Sequence, residues 1–147
     1  MAAGEDPLGV QVEELYSVFR DYPARAVMPA NCTCCDPFTD EALASKPLKA
    51  LSSADLMDYF CLAVENVGDE NEFRHFLPRI LELYLVEEKP LLAGQVLIHN
   101  LKAAECWRWP QSERKALKAF FRVLETIPRR QKLARGALAV LQSNGGE

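Results

Sequence analysis

The sequence contains only two histidines among its 147 residues. So few imidazole groups leave little material for general acid–base catalysis. The chain also lacks a glycine-rich phosphate loop, a G-x-S-x-G nucleophile motif and an H-E-x-x-H zinc-protease motif. These absences argue against the common nucleotide-binding, hydrolase and metalloprotease classes. We therefore expect a protein that is not an enzyme.

Long hydrophobic runs are absent as well. No apolar stretch approaches the ~20 residues that cross a bilayer. The N-terminal sequence MAAGEDPLGVQVEEL lacks the basic and apolar regions of a signal peptide. We expect a cytoplasmic protein without a membrane partner, in a compartment that keeps thiols reduced. The five cysteines are an odd number, which excludes a fully paired disulfide framework.

Apolar residues recur at helical intervals along most of the chain. No segment alternates convincingly with period two, so the pattern predicts no β-sheet. Pro78 is expected to kink its helix, because it removes one backbone hydrogen bond. The predicted helices cover about residues 9–22, one turn near 40–44, 52–67, the segment from Asp69 through Tyr84, 90–106, and two segments that open at Pro110 and Pro128.

The helices predict an all-α fold of five to six helices. Short links favour an antiparallel helical bundle or a short solenoid-like stack. The length fits a single domain, residues 1–147, with frayed ends at 1–8 and 143–147. A long irregular loop, residues 23–51, follows the first helix and contains prolines and three cysteines. Loops this long in a compact domain tend to be functional or disordered.

The cysteines of this loop lie in the sequence NCTCCDPF. Cys32 and Cys35 have the two-residue spacing of a zinc knuckle and also of a thiol-redox motif, and Cys34 lies between them. Three thiolates supply three of the four ligands that zinc requires, and bound zinc would stabilise an irregular segment. Candidates for the fourth ligand are His75, His99, Cys61, Cys106 and Asp36.

Two alternatives to a metal site stay open. Redox chemistry with Cys32 and Cys35 requires an exposed thiol of low pKa, and the neighbouring Asp36 and Asp40 disfavour a thiolate. The cysteines can also be ordinary packed side chains, as we expect for Cys61 and Cys106 within their helices. His75 lies about 200° around its helix from Phe73, away from the apolar stripe, where a lone histidine is more often solvated than ligating.

Charge is distributed unevenly along the chain. Residues 1–70 contain thirteen acidic and four basic side chains, whereas residues 107–135 contain two acidic and nine basic ones. The two regions can attract each other across the fold, or the basic helices can bind an anionic partner. Nucleic-acid binding, with Trp107 and Trp109 as stacking residues, would use Arg114, Lys118, Arg122, Arg129 and Arg130.

The cysteine element CTCCDPF and the segment ENEFRHFLPRILELYL together resemble a set of small bacterial proteins. These proteins have an early C-x-C-C element followed by a D-x-x-x-F-R-H-F-L-P-R-type helix. The resemblance covers roughly residues 12–125 and implies a helical fold without an established activity. Thr33 replaces the proline that the resemblance leads us to expect. The matching positions are Cys32, Cys34, Cys35, Phe73, Arg74, His75, Phe76, Pro78 and Arg79.

The resemblance favours treating the cysteine loop and the His75 helix as one site. We predict a structural zinc site made of Cys32, Cys34, Cys35 and His75. The function predicted from the sequence is that of a non-catalytic binding or scaffold module, with another protein as its partner. A redox protein using Cys32 and Cys35 and a nucleic-acid-binding protein are the alternatives.

Overall fold

The computed structural model describes residues 7–31 and 36–142 and confirms the all-α fold. Short 3₁₀ turns precede several of its helices, at Leu48–Ala50, Cys106–Arg108 and Pro128–Arg130. The α-helices of the described residues are α1 (Pro7–Val18), α2 (Glu41–Ser45), α3 (Ser53–Leu62), α4 (Glu70–Val86), α5 (Gly94–Ala103), α6 (Gln111–Leu124) and α7 (Gln131–Gln142).

The prediction of no sheet is wrong. Strands β1 (Val27–Met28) and β2 (Phe38–Thr39) form a small antiparallel sheet, with Val27 opposite Thr39 and Met28 opposite Phe38. Two-residue strands are too short to leave a period-two pattern in the sequence. The sheet lies within the segment predicted as irregular, and its strands lie on either side of the cysteines along the chain.

Side-chain caps at α3 and α4 explain where these helices begin. Ser52 and Asp69 each form a capping box, with Asp55 and Glu72 respectively, so that orphan amides at both helix starts are satisfied. The predicted end of α3 near residue 67 is too late. The helix ends at Leu62 because Val64 adopts the left-handed region, with φ of 70°, which no right-handed helix continues.

The packing contacts between helices distinguish a bundle from a solenoid. In a solenoid each unit contacts only its neighbours along the chain. Here α1 packs against α6, far away in the sequence, and also against α4, while α7 packs against α5 and α6. Ten of the seventeen residues of α4 are buried, so α4 is the central helix of the bundle.

The ends of the chain and the interior of α4 differ in part from the sequence-based expectation. Helix α1 begins at Pro7, inside the region predicted to fray, and proline suits a first helical turn. Residues 1–6 and 143–147 lie outside the described part of the chain. Helix α4 continues through Pro78. None of the described helices has the length and apolar character required to cross a membrane.

Candidate functional site

The predicted metal site is only partly described by the structure. Cys32, Cys34 and Cys35 lie outside the described residues, whereas His75 is half-buried on α4. The Nδ1 atom of His75 lies 2.7 Å from the carbonyl oxygen of Tyr22. A carbonyl oxygen can only accept a hydrogen bond, so Nδ1 is the donor and carries the proton. In the neutral ring, Nε2 is then the nitrogen with a free lone pair.

The orientation of His75 is the one that metal-binding histidines commonly adopt. Such histidines donate one ring N–H to a carbonyl or carboxylate and bind the metal through the other nitrogen. The Nε2 atom of His75 has no hydrogen-bond partner among residues 7–31 and 36–142. The ring packs edge-on against Phe76, with 4.8 Å between ring centroids. His75 is therefore positioned and oriented, rather than freely solvated as the sequence alone suggested.

The residues that flank the cysteines are attached to the helical body on both sides. On the N-terminal side, the side-chain amide of Asn31 donates hydrogen bonds to the carbonyls of Val64 at 2.6 Å and Gly68 at 3.0 Å. On the C-terminal side, the ring of Phe38 packs against Tyr59 with 6.3 Å between centroids. These contacts fix the two ends of the cysteine segment against the α3–α4 region.

A buried carboxylate fastens the same segment to α4. Glu72 accepts hydrogen bonds from the Arg25 side chain, at 2.6 Å from Nε and 2.8 Å from Nη2, and from the backbone amides of Arg25 and Asp69. Burial by itself would raise the pKa of Glu72, but these hydrogen bonds outweigh it and hold the pKa below its ordinary value. Arg79 adds a further attachment, because its Nε donates to the Leu51 carbonyl at 2.7 Å.

The remaining candidates for a fourth ligand are dispersed. The expectation that Cys61 fills the core is wrong, since its side chain is exposed, whereas Cys106 is buried as expected and burial raises its pKa to about 12. His99 is exposed, and its Nε2 lies 2.8 Å from Glu65. No group of three metal-ligating side chains occurs within the described ranges. A site that requires the three loop cysteines therefore stays a prediction.

A buried arginine near the start of α4 connects residues that lie far apart in the sequence. The Arg74 guanidinium lies between the rings of Tyr22 and Trp109, 4.7 and 4.6 Å from their centroids. It contacts the carboxylates of Glu113 and Glu70, each at 3.3 Å, and donates to the Tyr22 hydroxyl at 2.5 Å. The Tyr22 hydroxyl in turn donates to Glu113. This cluster holds α1, α4 and α6 together and leaves the Arg74 charge paired.

An open groove of about 690 Å³ lies between the loop after α4, helix α5 and the start of α7. Its apolar lining, defined here as Leu92, Ile98 and Leu133, is buried or half-buried. Its basic rim, defined here as Lys89, Arg129 and Lys132, is exposed to solvent. The groove thus combines an apolar interior with a concentration of positive charge.

Two glycines allow α5 and α7 to approach each other along the groove. A Cβ atom at position 94 would lie 3.1 Å from the Leu133 Cδ1 atom, and one at position 136 would lie 3.3 Å from the Ile98 Cδ1 atom. Both distances are tighter than ordinary carbon–carbon contacts. Gly94 and Gly136 therefore leave space for the apolar side chains that line the groove.

Arg130 is a fourth cation of the groove, and its surroundings are unusual. Its Nε donates to the Tyr84 carbonyl at 2.8 Å, and its Nη2 donates to the carbonyls of Glu87 and Glu88 at 3.0 and 3.1 Å. These carbonyls lie at the C-terminal end of α4, where a cation is favoured. Within the described residues, Arg130 and the basic rim have no carboxylate within ion-pair distance, and Nη1 of Arg130 has no partner.

The basic residues predicted to contact nucleic acid differ in their exposure. Arg130 is buried and bonded to carbonyls, and Arg114 donates to the Trp109 carbonyl at 2.8 Å. Trp109 itself is buried beneath Arg74, so it is not available to stack on a base. Of the five predicted residues, Arg122 and Arg129 are exposed, and Arg114 and Lys118 are half-buried.

Sequence reasoning identified the basic stretch but not the groove. The glycines at positions 94 and 136 interrupt helical patterns, and an unexplained helical glycine is a signal of close packing. Lys89 lies in the link between two predicted helices, and nothing in its local sequence relates it to Lys132. The groove becomes visible only when α4, α5 and α7 are packed together.

Comparison of the chain with protein-family models, with curated proteins and with solved structures found no match. The resemblance to small bacterial helical proteins therefore stays a prediction.

Proposed function

We propose that this chain is a non-catalytic binding module that docks another protein in the groove formed by α4, α5 and α7. The observation that carries the proposal is the combination of an apolar lining with four cations that no carboxylate of the described residues pairs. Interior charge in folded proteins is normally paired, and exposed arginines beside apolar pockets are typical of interaction surfaces.

The energetics favour a binding role for this surface. A protein interface derives its affinity from a few anchor side chains that fill desolvated pockets, surrounded by a polar rim. Leu92, Ile98 and Leu133 supply the pocket, and Lys89, Arg129 and Lys132 supply the rim. Two further hydrophobic residues, Val86 and Leu91, are exposed and lie close in the sequence to residues that line the groove.

Site-specific photo-crosslinking tests this function. A benzophenone amino acid is placed at Gln95, an exposed residue of the groove, and crosslinked in cells. The resulting adducts should be digested by proteases and should resist nucleases. The double variant Arg129→Glu/Lys132→Glu should abolish these adducts, because it reverses two charges of the rim. The same amino acid at Ala54, exposed on α3, serves as the positional control.

A matched charge control separates the two macromolecular partners. The variant Lys115→Glu/Arg122→Glu changes the net charge by the same amount on the exposed face of α6. Protein docking in the groove predicts that this variant keeps the Gln95 adducts. Nuclease-sensitive adducts that both double variants abolish would instead support nucleic-acid binding. The absence of any groove-dependent adduct would contradict the proposed function.

The orientation of His75 favours a second role, a structural zinc site. We propose that Cys32, Cys34 and Cys35 supply three thiolates and that His75 supplies Nε2. The Nδ1–H hydrogen bond to the Tyr22 carbonyl fits such a ligand, and the contacts of Asn31 and Phe38 attach both flanks of the cysteine segment to the helices. Zinc at this position would add folding free energy to the segment.

Metal content tests the zinc site directly. Elemental mass spectrometry of untagged protein, purified without chelator, should find about one zinc per chain. Cys35→Ser and His75→Ala should lower this content, whereas His99→Ala, which removes the exposed histidine beside Glu65, should not. If freshly purified, reduced protein contained no zinc, the zinc proposal would be overturned.

Thiol reactivity tests the redox alternative. In a zinc site the cysteines are shielded from alkylation, whereas a redox pair formed by Cys32 and Cys35 would react rapidly. Metal-free protein with fast alkylation at these two positions would favour the redox role. Both roles agree with the expected cytoplasmic location, because both require thiols that are kept reduced.

A further inference from the structure

We infer that the ligand of the groove is a short acidic peptide segment of the partner protein, with at least one large apolar side chain that enters the groove. This inference rests on the proposed function, because it assumes that the groove is the docking surface. It adds the chemistry of the partner, which the proposed function leaves open.

The charges of the groove determine the sign of the ligand. Lys89, Arg129 and Lys132 are exposed and have no ion-pair partner among residues 7–31 and 36–142. Glu88 also lines the groove, so four cations face one carboxylate. Opposite charge across an interface increases the association rate and excludes competitors of the same sign. A partner with several carboxylates matches this rim.

Arg130 differs from the other three cations of the groove because it is buried. The residue is only 9% exposed. Its pKa is lowered mainly by burial and, to a smaller extent, by repulsion from Arg129. Three carbonyls accept its hydrogen bonds, but carbonyl dipoles neutralise a full charge only in part. A ligand carboxylate near Nη1 would supply the charged partner that the carbonyls do not, and hydrogen bonds between charged groups are stronger than those between neutral groups.

The apolar lining specifies the rest of the ligand. Leu92, Ile98 and Leu133 line the groove beside Gly94 and Gly136, which add no side-chain bulk. A volume of about 690 Å³ is sufficient for large side chains, so a purely charged ligand would leave the apolar surface exposed. An acidic segment that also carries leucine, phenylalanine or tryptophan covers both parts of the groove.

A peptide fits this surface better than a nucleic acid does. Single-stranded nucleic acids bind where aromatic side chains offer exposed faces for stacking. The residues that line the groove include one aromatic, Tyr84, which is buried and donates its hydroxyl to the Leu92 carbonyl at 2.9 Å. Apolar anchors combined with carboxylates are features of polypeptides.

Selection from a peptide library tests the inference without knowledge of the natural partner. Random 16-residue peptides displayed on phage are selected on the full-length protein and counter-selected on Arg129→Glu/Lys132→Glu. We expect the surviving peptides to be rich in Asp and Glu and to contain a large apolar residue. Their affinity should fall about tenfold or more in the double variant, and again when peptide glutamates become glutamine.

Nuclear magnetic resonance locates the bound peptides. The amide signals of Gly94 and Gly136 should shift on binding, because both residues line the groove. The Lys115→Glu/Arg122→Glu variant should bind with unchanged affinity. Thermal unfolding of each variant verifies that lost binding does not reflect lost folding.

The outcomes separate this inference from the proposed function. Acidic, apolar peptides that shift the groove signals support both. Peptides that bind the groove but are neutral or basic overturn the inference and leave the proposed function intact. A selection that yields no groove-dependent peptide overturns the inference, and the crosslinking at Gln95 then decides whether the proposed function stands.

Discussion

Two arginines of this protein are equally buried, yet their surroundings differ. Arg74 and Arg130 are each 9% exposed. Arg74 lies between two aromatic rings and contacts the carboxylates of Glu70 and Glu113. Arg130 contacts three carbonyl oxygens at the end of α4 and has no carboxylate within ion-pair distance in the described chain.

The difference indicates which surface is structural and which is available for binding. A buried charge that the fold pairs with carboxylates joins helices, and removing one partner leaves the other uncompensated. A buried charge that the fold leaves partly compensated can gain from an external anion. The region around Arg74 therefore holds the bundle together, and the groove around Arg130 is where a ligand would bind.

The largest expected effect comes from breaking the Arg74 cluster. Glu113→Leu should reduce the free energy of unfolding by roughly 3 to 5 kcal/mol, because it leaves the Arg74 charge without its buried partner. Urea denaturation measures this loss. The double variant Arg74→Met/Glu113→Leu should recover much of it. A single variant as stable as the native protein would show that the cluster does not hold the helices.

Arg130→Met tests the second buried arginine, and its effect on stability is compared with that of Glu113→Leu. We expect a smaller loss, about 1 to 2 kcal/mol, because the substitution leaves carbonyls without donors but no carboxylate without its cation. The same urea experiment applies. A loss as large as that of Glu113→Leu would contradict the distinction between the two arginines.

Gly68→Ala tests the connection that positions Asn31 and Glu72. Gly68 has φ of 66°, and a Cβ atom there would lie 2.6 Å from Glu72 Oε1. We expect a loss of about 2 kcal/mol from backbone strain and from displacement of the buried carboxylate. Gly136→Ala in α7 is the control. The added methyl group would contact Ile98 tightly, which destabilises the fold, whereas alanine favours a helix more than glycine does. The free energy of unfolding should therefore change by no more than about 1 kcal/mol.

The lowered pKa of Glu72 predicts a dependence of stability on pH. The folded protein binds the proton of Glu72 less tightly than the unfolded chain, whose ordinary pKa is 4.5. The stabilisation is therefore complete above pH 4.5 and is lost as the pH falls through the lower pKa of the folded state. Urea denaturation between pH 7 and pH 3 measures this loss. Glu72→Gln should lose less stability across that range, and an identical pH profile would contradict the assignment.

The smallest expected effect on stability comes from the basic rim. Arg129→Glu/Lys132→Glu should change the free energy of unfolding by about 0.5 kcal/mol or less, since both side chains are exposed and unpaired in the described structure. The same variant should nevertheless weaken peptide binding about tenfold. A large loss of stability would show that Arg129 and Lys132 stabilise the fold, which would contradict their assignment to a binding surface.

The sequence predicted the helices well where short-range signals were strong. Ser52 and Asp69 begin their helices as expected, because a capping box involves residues only three positions apart. The end of α3 was predicted too late, because the left-handed backbone at Val64 depends on contacts with Asn31 and Val67. For the candidate site, the sequence singled out His75, whose role as a zinc ligand stays a prediction. Its hydrogen bond to Tyr22 could not be predicted, because it joins residues 53 positions apart.

The amino-acid sequence by itself determined the all-α class, the helix starts at Ser52 and Asp69, and the clustering of thiols, because these follow from spacing and composition within a few residues. Only the tertiary structure decided which charges are paired. It placed Glu113 beside Arg74, left Arg130 with carbonyls, and brought Lys89 and Lys132 to the same groove. Coulomb interactions and burial depend on distance through space, and residues far apart along the chain acquire that distance only when the helices pack.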